Sequence, residues 1–169
     1  MTHYDKAWVC RNGHSINTAV KWDSSKNAEH CPQCGEPAVK ECEACNAPLR
    51  GDRITPAHRS DWGLHVPGKR IRMRRVPAYC HACGKAYPWT ERKAEAMEEM
   101  IDELDGLSDE ERNRLKKSIP DIIADTPKSE TAALRFKKAV AKVGEAGGNL
   151  MMKVLASVAT EAVKNSMGM

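Results

Sequence analysis

Seven cysteines and one histidine fall into four short pairs, Cys10-x-x-x-His14, Cys31-x-x-Cys34, Cys42-x-x-Cys45 and Cys80-x-x-Cys83. A two-residue gap lets one tight turn aim two sulfurs at a single ion, and two tetrahedral zinc ions need eight such ligands. The chain supplies eight. Gly35, Asn46 and Gly84 follow the second cysteines and Gly13 sits inside the first pair, all residue types that tolerate the positive φ of such a turn. His14 completes a set that would otherwise hold three ligands. His30 and His81, which flank ligand cysteines, are its substitutes; His3, His58 and His65 lie outside any motif and are expected on the surface or in packing. All eight ligands are spent in closing two sites, so the zinc ions are expected to be structural and not catalytic.

Two pairings satisfy this ligand set. A sequential one joins Cys10/His14 to Cys31/Cys34 and Cys42/Cys45 to Cys80/Cys83, giving two consecutive zinc ribbons. A cross-braced one joins the first pair to the third and the second to the fourth, as in RING-type domains. The sequential form is favoured by an internal repeat, since Glu29-His-Cys-Pro-Gln-Cys-Gly-Glu-Pro aligns with Ala78-Tyr-Cys-His-Ala-Cys-Gly-Lys-Ala, each closing its own ribbon. The stretch between Cys34 and Cys42 is also long for a RING-type pattern.

The elements that must position these ligands change character near Trp89. Of 169 residues, 41% are hydrophobic, below the roughly 45–50% of an ordinary globular domain. Residues 1–90 hold every cysteine and histidine and seven of the eight aromatics, leaving little bulky material for a core. This region reads as a small β-rich double zinc ribbon over residues 1–89, with Ser15 to Trp22 as one extended run whose Ile16, Thr18, Val20 and Trp22 share a face. Residues 90–169 read as an all-α region of three or four helices, an α+β organisation in total. Thr90 is the expected N-cap of the first helix, whose stripe of Ala94, Met97, Met100, Ile101 and Leu104 opposes Glu91, Glu95, Glu98, Asp102 and Glu103. Ser108 with Glu111 is a capping box opening a second helix that Pro120 should stop near Ser118, with Ile122 and Ile123 as an apolar plug in the turn. Thr126-Pro127 signals the start of a third, carrying Ala133, Phe136, Val140 and Val143, which Gly144, Gly147 and Gly148 should end or bend. A fourth stretch from about Asn149 to Ser166 carries Leu150, Met151, Val154, Leu155, Val158 and Ala162.

The run Cys31-Pro-Gln-Cys-Gly through Cys42-Glu-Ala-Cys-Asn-Ala-Pro-Leu-Arg-Gly-Asp, together with Val76-Pro-Ala-Tyr-Cys-His-Ala-Cys-Gly-Lys-Ala-Tyr-Pro-Trp-Thr-Glu, resembles a bacterial family of unknown function. The resemblance extends over nearly the whole chain, including the Ile122 to Thr126-Pro127 junction and Ala133-Leu-Arg-Phe-Lys-Lys. It implies a bacterial double zinc ribbon with a helical tail, and no reaction.

The formal charge of +4 divides into +6 for residues 1–90, −6 for 91–125 and +4 for 126–169. Seven thiolates and two Zn²⁺ ions bring the whole chain to near +1, which removes most of the basicity that would have suggested nucleic acid. What remains is a local run, Lys69-Arg70-Ile71-Arg72-Met73-Arg74-Arg75. As a strand it would put Arg70, Arg72 and Arg74 on one face, where they could meet phosphates with Trp62 and Tyr79 as stacking surfaces; otherwise it is a solvated arm or docks on the acidic first helix. Arg135, Lys137, Lys138 and Lys142 read as a solvated helix face. The N-terminus carries no apolar signal segment and no run approaches a membrane span, so a cytosolic, reducing setting is expected.

No phosphate loop, nucleophile–base pair or cysteine beyond the zinc ligands is visible, which points away from an enzyme. The expectation is a cytosolic bacterial adaptor or binding protein with two structural zinc ions, its ribbons contacting protein or nucleic acid and its helices packing or self-associating. The rivals are an effector whose last helices, with Lys153 and Lys164 flanking an apolar stretch, act on membranes, and a cross-braced ubiquitin-ligase-like recruiter.

Overall fold

A computed structural model describes residues 2–124 and 126–168, with no side-chain description for Val158 and Ala162. The chain forms two compact units, Met1–Trp89 and Thr90–Met169.

The first unit is built from short antiparallel strands. β1 (His3–Lys6), β5 (Arg50–Thr55) and β8 (Lys69–Ile71) form one sheet in the order β1-β5-β8; β2 (Trp8–Cys10), β3 (Ser15–Asn17) and β4 (Ala38–Val39) form another in the order β3-β2-β4. β6 (His58–Arg59) and β7 (His65–Val66) make a separate hairpin. β1 therefore joins the sheet of the second ribbon, and β2, which follows after Ala7, enters the first. The two ribbons share a strand entry and are not simply consecutive. Their common core is small: Ala7, Val9, Val39, Leu49, Tyr87 and Trp89 pack with the ligand cysteines Cys42 and Cys80. The Tyr87 and Trp89 rings stack with centroids 4.6 Å apart, and the Trp89 indole N–H donates to Pro77 O at 2.8 Å.

The expected extended run from Ser15 to Trp22 stops being a strand at Asn17. Asn17 and Ala19 are buried while Trp22 is exposed. The reason is polar. The Asn17 amide donates to Asp23 O at 2.8 Å and Asn27 Oδ1 at 2.7 Å and accepts from the Ala19 N–H at 2.9 Å, while Asp5 accepts from the Lys21 and Trp22 N–H groups. These bonds turn the chain where alternation alone would have continued it.

The second unit contains six helical segments among the described residues: α1 (Pro88–Glu103), α2 (Asp109–Lys116), α3 (Ile119–Ile123), α4 (Ser129–Val140), α5 (Gly144–Val158) and α6 (Glu161–Met167). Its core runs through Met97, Ile101, Leu115, Ile122, Phe136, Met151 and Leu155, with Ala94, Val140 and Val143 packed against it. α1 starts two residues before Thr90, because Pro88 has the φ of a first helical position; Thr90 is buried inside the helix and is not its cap. The Ser108–Glu111 capping box is formed in both directions. Pro120 sits in the first turn of α3, so it opens a short helix where a plain turn was expected, and Ile122 is fully buried. Thr126 does not cap α4. Its hydroxyl accepts from the Lys128 N–H at 3.1 Å and donates to Asp121 at 2.8 Å, and the helix starts at Ser129, whose hydroxyl donates to Asp121 O at 2.8 Å.

Gly147 and Gly148 lie inside α5 and do not break it. A Cβ on Gly147 would meet Leu104 Cδ2 at 3.2 Å and one on Gly148 would meet Val140 O at 3.2 Å, so these glycines let α5 approach its neighbours closely. The single fourth helix is divided instead at Ala159–Thr160, where Thr160 accepts from the Val163 N–H and caps α6. Of the apolar residues expected on that stretch, Leu150 is exposed, and the positions Val158 and Ala162 lie outside the described side chains.

Candidate metal centres

Three knuckles with one backbone design carry six of the eight ligands. In each, the N–H of the first cysteine donates to the carbonyl five residues on: Cys31 to Glu36, Cys42 to Ala47 and Cys80 to Lys85, all at 2.8 Å. The residue after the second cysteine returns a bond to the first, from Gly35, Asn46 and Gly84 at 2.8–2.9 Å. That return requires positive φ, observed at 75° for Gly35, 57° for Asn46 and 73° for Gly84. Isolated bridges His30–Pro37, Glu41–Pro48 and Tyr79–Ala86 close all three. The sequence repeat covers two of these copies; the third, with Asn46 in the glycine position, is the same unit with a different left-handed residue.

The fourth pair is supplied by the β2–β3 turn. Cys10 N–H donates to His14 O at 3.0 Å, and Gly13, at φ 85°, returns a bond to Cys10 O.

The structure brings Cys10, His14, Cys31 and Cys34 into one group and Cys42, Cys45, Cys80 and Cys83 into another, with the ligand atoms of each group within 4.8 Å of one another. A four-coordinate ion with 2.3 Å metal–sulfur arms requires S···S edges of about 3.8 Å, and an N···S edge of about 3.6 Å where a nitrogen replaces one sulfur. The Cys10–Cys34, Cys42–Cys83 and Cys45–Cys80 separations are each 3.7 Å, and His14 Nδ1 stands 3.3 Å from Cys34 Sγ and 3.7 Å from Cys31 Sγ. The residues therefore fit a tetrahedral metal ion at both places, with His14 binding through Nδ1. His30 and His81 belong to neither group. The cross-braced pairing is ruled out by the same geometry, because Cys10/His14 lies with Cys31/Cys34 and not with Cys42/Cys45. The RING-like recruiter reading loses its basis with it.

The electrostatics of the groups call for a cation. Backbone N–H groups of Cys83 and Ala82 pull the Cys80 thiol down to about 6. Cys45 accepts from the Ala47 N–H, yet the crowding of Cys83, Cys80 and Cys42 together with burial pushes it up to about 12. Cys80 therefore holds a thiolate readily, whereas Cys45 keeps its proton until a positive ion lies beside it. In the first group burial raises Cys10, whereas the Glu36 N–H and then the His14 and Cys10 side chains favour the Cys34 thiolate against an opposing burial cost. Burial, and then the Cys80 side chain beside it, push Tyr87 up, so its neutral hydroxyl stands at an outer position of the kind that orients a metal ligand. Arg11 and Glu43, 2.6 Å apart, connect the first group's turn to the second group's knuckle.

The basic run behaves differently from the expectation. Lys69–Ile71 is β8, but Arg70 is turned inward, its Nε 2.5 Å from the fully buried Asp52. Arg72 lies beside it, lining a groove with Lys26 and the β3 residues Ser15, Ile16 and Asn17, while Lys69, Arg74 and Arg75 are exposed. Arg70 thus serves through its Nε as the counter-ion of Asp52. Trp62, 90% exposed, sits at the tip of the β6–β7 hairpin. In the helical unit Arg135 donates to the buried Ser118 hydroxyl at 2.8 Å and Lys142 pairs with Glu111, so that face is partly anchored and not simply solvated.

Asp52 was not legible as a key residue. Burial opposes its ionisation, but the Met73 N–H, the Arg70 guanidinium and the Thr18 side chain hold its carboxyl below the usual range. A carboxylate of this kind contributes stability above its unfolded pKa of about 3.9 and loses it only as pH falls through the lower native value. Asp52→Asn is expected to cost about 3 kcal/mol in denaturant unfolding of the ribbon unit, because Arg70 is left without its counter-ion. The deficit should be constant from pH 8 to pH 5; one that shrank across that range would mean that the carboxyl titrates there.

Among the described residues no helix is long and apolar enough to cross a membrane. No curated protein and no solved structure matches the chain. A family model does, over residues 3–167, and with both ligand groups in place the chain belongs to that family, described as an uncharacterized protein conserved in bacteria (DUF2321).

Proposed function

We propose that this chain is a zinc-loaded, non-catalytic binding protein of the bacterial cytosol, an adaptor whose ribbon unit recognises a partner and whose helical unit packs or self-associates. The observation that carries this reading is that all seven cysteines and His14 are committed to two four-ligand groups. An ion held this way has no protein-free coordination position, and a catalytic zinc needs one. Zinc is the ion because mixed thiolate–imidazole and all-thiolate tetrahedra suit it. The exposed Leu134 and Leu150 leave apolar surface on the helical unit for packing.

Purified protein is expected to carry two zinc ions per chain by elemental analysis. After exchange with cobalt, its d–d spectrum should be that of closed tetrahedral sites and should not change on adding azide. An azide-dependent spectrum would reveal an open position and sink the non-catalytic reading.

A further inference from the structure

We propose that the outer face of the β1-β5-β8 sheet and the cleft beside it bind single-stranded nucleic acid; the proposal deepens the reading of the ribbon unit as a recognition module. The face follows from register. Tyr4 of β1 lies directly opposite Arg53 of β5, and Arg53 opposite Ile71 of β8. Directly paired residues share a face, and all three are exposed, while Asp52 and Ile54 on either side of Arg53 are buried. An exposed tyrosine, an exposed arginine and a half-apolar neighbour on an open sheet form the kind of platform on which bases stack.

The platform continues into a cavity of about 180 Å³ lined by Tyr4, Arg50, Arg75, Tyr79, His81 and Tyr87 over a floor that includes Gly51 and Met73. Among the described residues no carboxylate lines it. Arg50 lies over the Tyr4 ring with its guanidinium carbon 5.0 Å from the centroid, which presents a planar cation on an aromatic support. Tyr79, 37% exposed, offers a second ring at the other end. Four of the unit's carboxylates are paired with other cations: Asp52 with Arg70, Glu43 with Arg11, Glu29 with Lys40 and Asp23 with Lys26.

Stacking surfaces beside arginines select a strand whose bases are unpaired. A duplex hides its base faces and would use only the charge. An acidic peptide would use the arginines and leave the rings idle. The site lies on the opposite side of the sheet from Arg70 and Arg72, the residues that the charge run alone puts forward.

The test is fluorescence anisotropy of the full-length, zinc-loaded protein with labelled 15-mers of deoxythymidine and of uridine, a 15-base-pair duplex and a polyglutamate peptide. Binding to one or both single strands is expected, weaker for the duplex and the peptide, and falling with salt. The DNA and RNA arms tell which sugar is preferred. Tyr4→Ala with Tyr79→Ala should weaken single-strand binding by about tenfold or more without changing the salt slope. Arg50→Ala with Arg53→Ala should weaken it and flatten the slope. Arg72→Ala on the other face should leave it within about twofold of the parent. Zinc content and circular dichroism establish that each variant is folded. The proposal is overturned if neither single strand binds, if duplex or polyglutamate binds as well as the single strands, or if the tyrosine pair has no more effect than Arg72→Ala. Any of these results would leave the cobalt test of the closed metal sites standing.

Discussion

Stripping both metal ions should unfold residues 2–89 and leave the helices of residues 90–168 in place. The ribbon unit has a core of six apolar residues and two ligand cysteines, whereas the helical core holds seventeen buried residues among those described. A structural zinc contributes on the order of 10 kcal/mol of apparent folding free energy, comparable to a small domain's whole stability, so two ions outweigh what that core supplies. Without them, nothing joins the four ligands of each group. The four tryptophans, Trp8, Trp22, Trp62 and Trp89, all lie in the ribbon unit and report on it alone. On removal by excess chelator, tryptophan emission should shift to the red as Trp89 leaves its stack on Tyr87, and the ribbon amide resonances should collapse toward random-coil positions. Far-ultraviolet circular dichroism should keep most of its helical signal. Preserved amide dispersion with no zinc bound would contradict this, as would helical signal that vanishes together with the ribbons.

Why the metal ligands were legible and the binding face was not is a matter of range. A knuckle is local: two cysteines, a left-handed residue and a backbone bond over five residues can be read from one short stretch, and three stretches repeat it. The helical stripe of Met97, Met100, Ile101 and Leu104 is local in the same sense. The face formed by Tyr4, Arg53 and Ile71 exists only because residues far apart in the chain pair in register, and nothing within any one segment announces that pairing. Alternation misled where hydrogen bonds decide. Period 2 carried the run from Ile16 to Trp22 as one strand face, but the Asn17 amide found three partners and turned the chain. The basic run misled for a related reason, since one buried carboxylate on the neighbouring strand changes Arg70 from a surface charge into a counter-ion. Helix boundaries failed at residues with two uses: Pro88 starts a helix, Pro120 starts another, and Thr126 caps the turn ahead of α4.

Gly51→Ala is expected to be among the most damaging single substitutions in the ribbon unit, although φ at Gly51 is ordinary. The reason is a crossing of backbones. A Cβ there would lie 2.1 Å from Thr18 O and 2.9 Å from Lys6 O. Both are main-chain atoms that cannot swing away as a side chain would. The same crossing carries the bond from Asp52 N–H to Thr18 O at 2.7 Å and, beside it, that from Val20 N–H to Lys6 O at 3.1 Å. Relief requires the loop after β3 of the first ribbon to lift off β5 of the second by roughly an ångström, which breaks these bonds and leaves buried donors unpaired. Overpacking and the lost bonds together set the cost at about 4 kcal/mol. Gly35→Ala supplies the comparison, because it has φ 75° and no atom within 4 Å of the place where its new methyl group would sit. It should cost only the left-handed penalty, about 1–2 kcal/mol. Denaturant midpoints read by tryptophan emission should therefore rank Gly51→Ala well below Gly35→Ala. Equal midpoints would mean that backbone conformation, and not the interlocking of the two ribbons at Thr18, limits the stability of this unit.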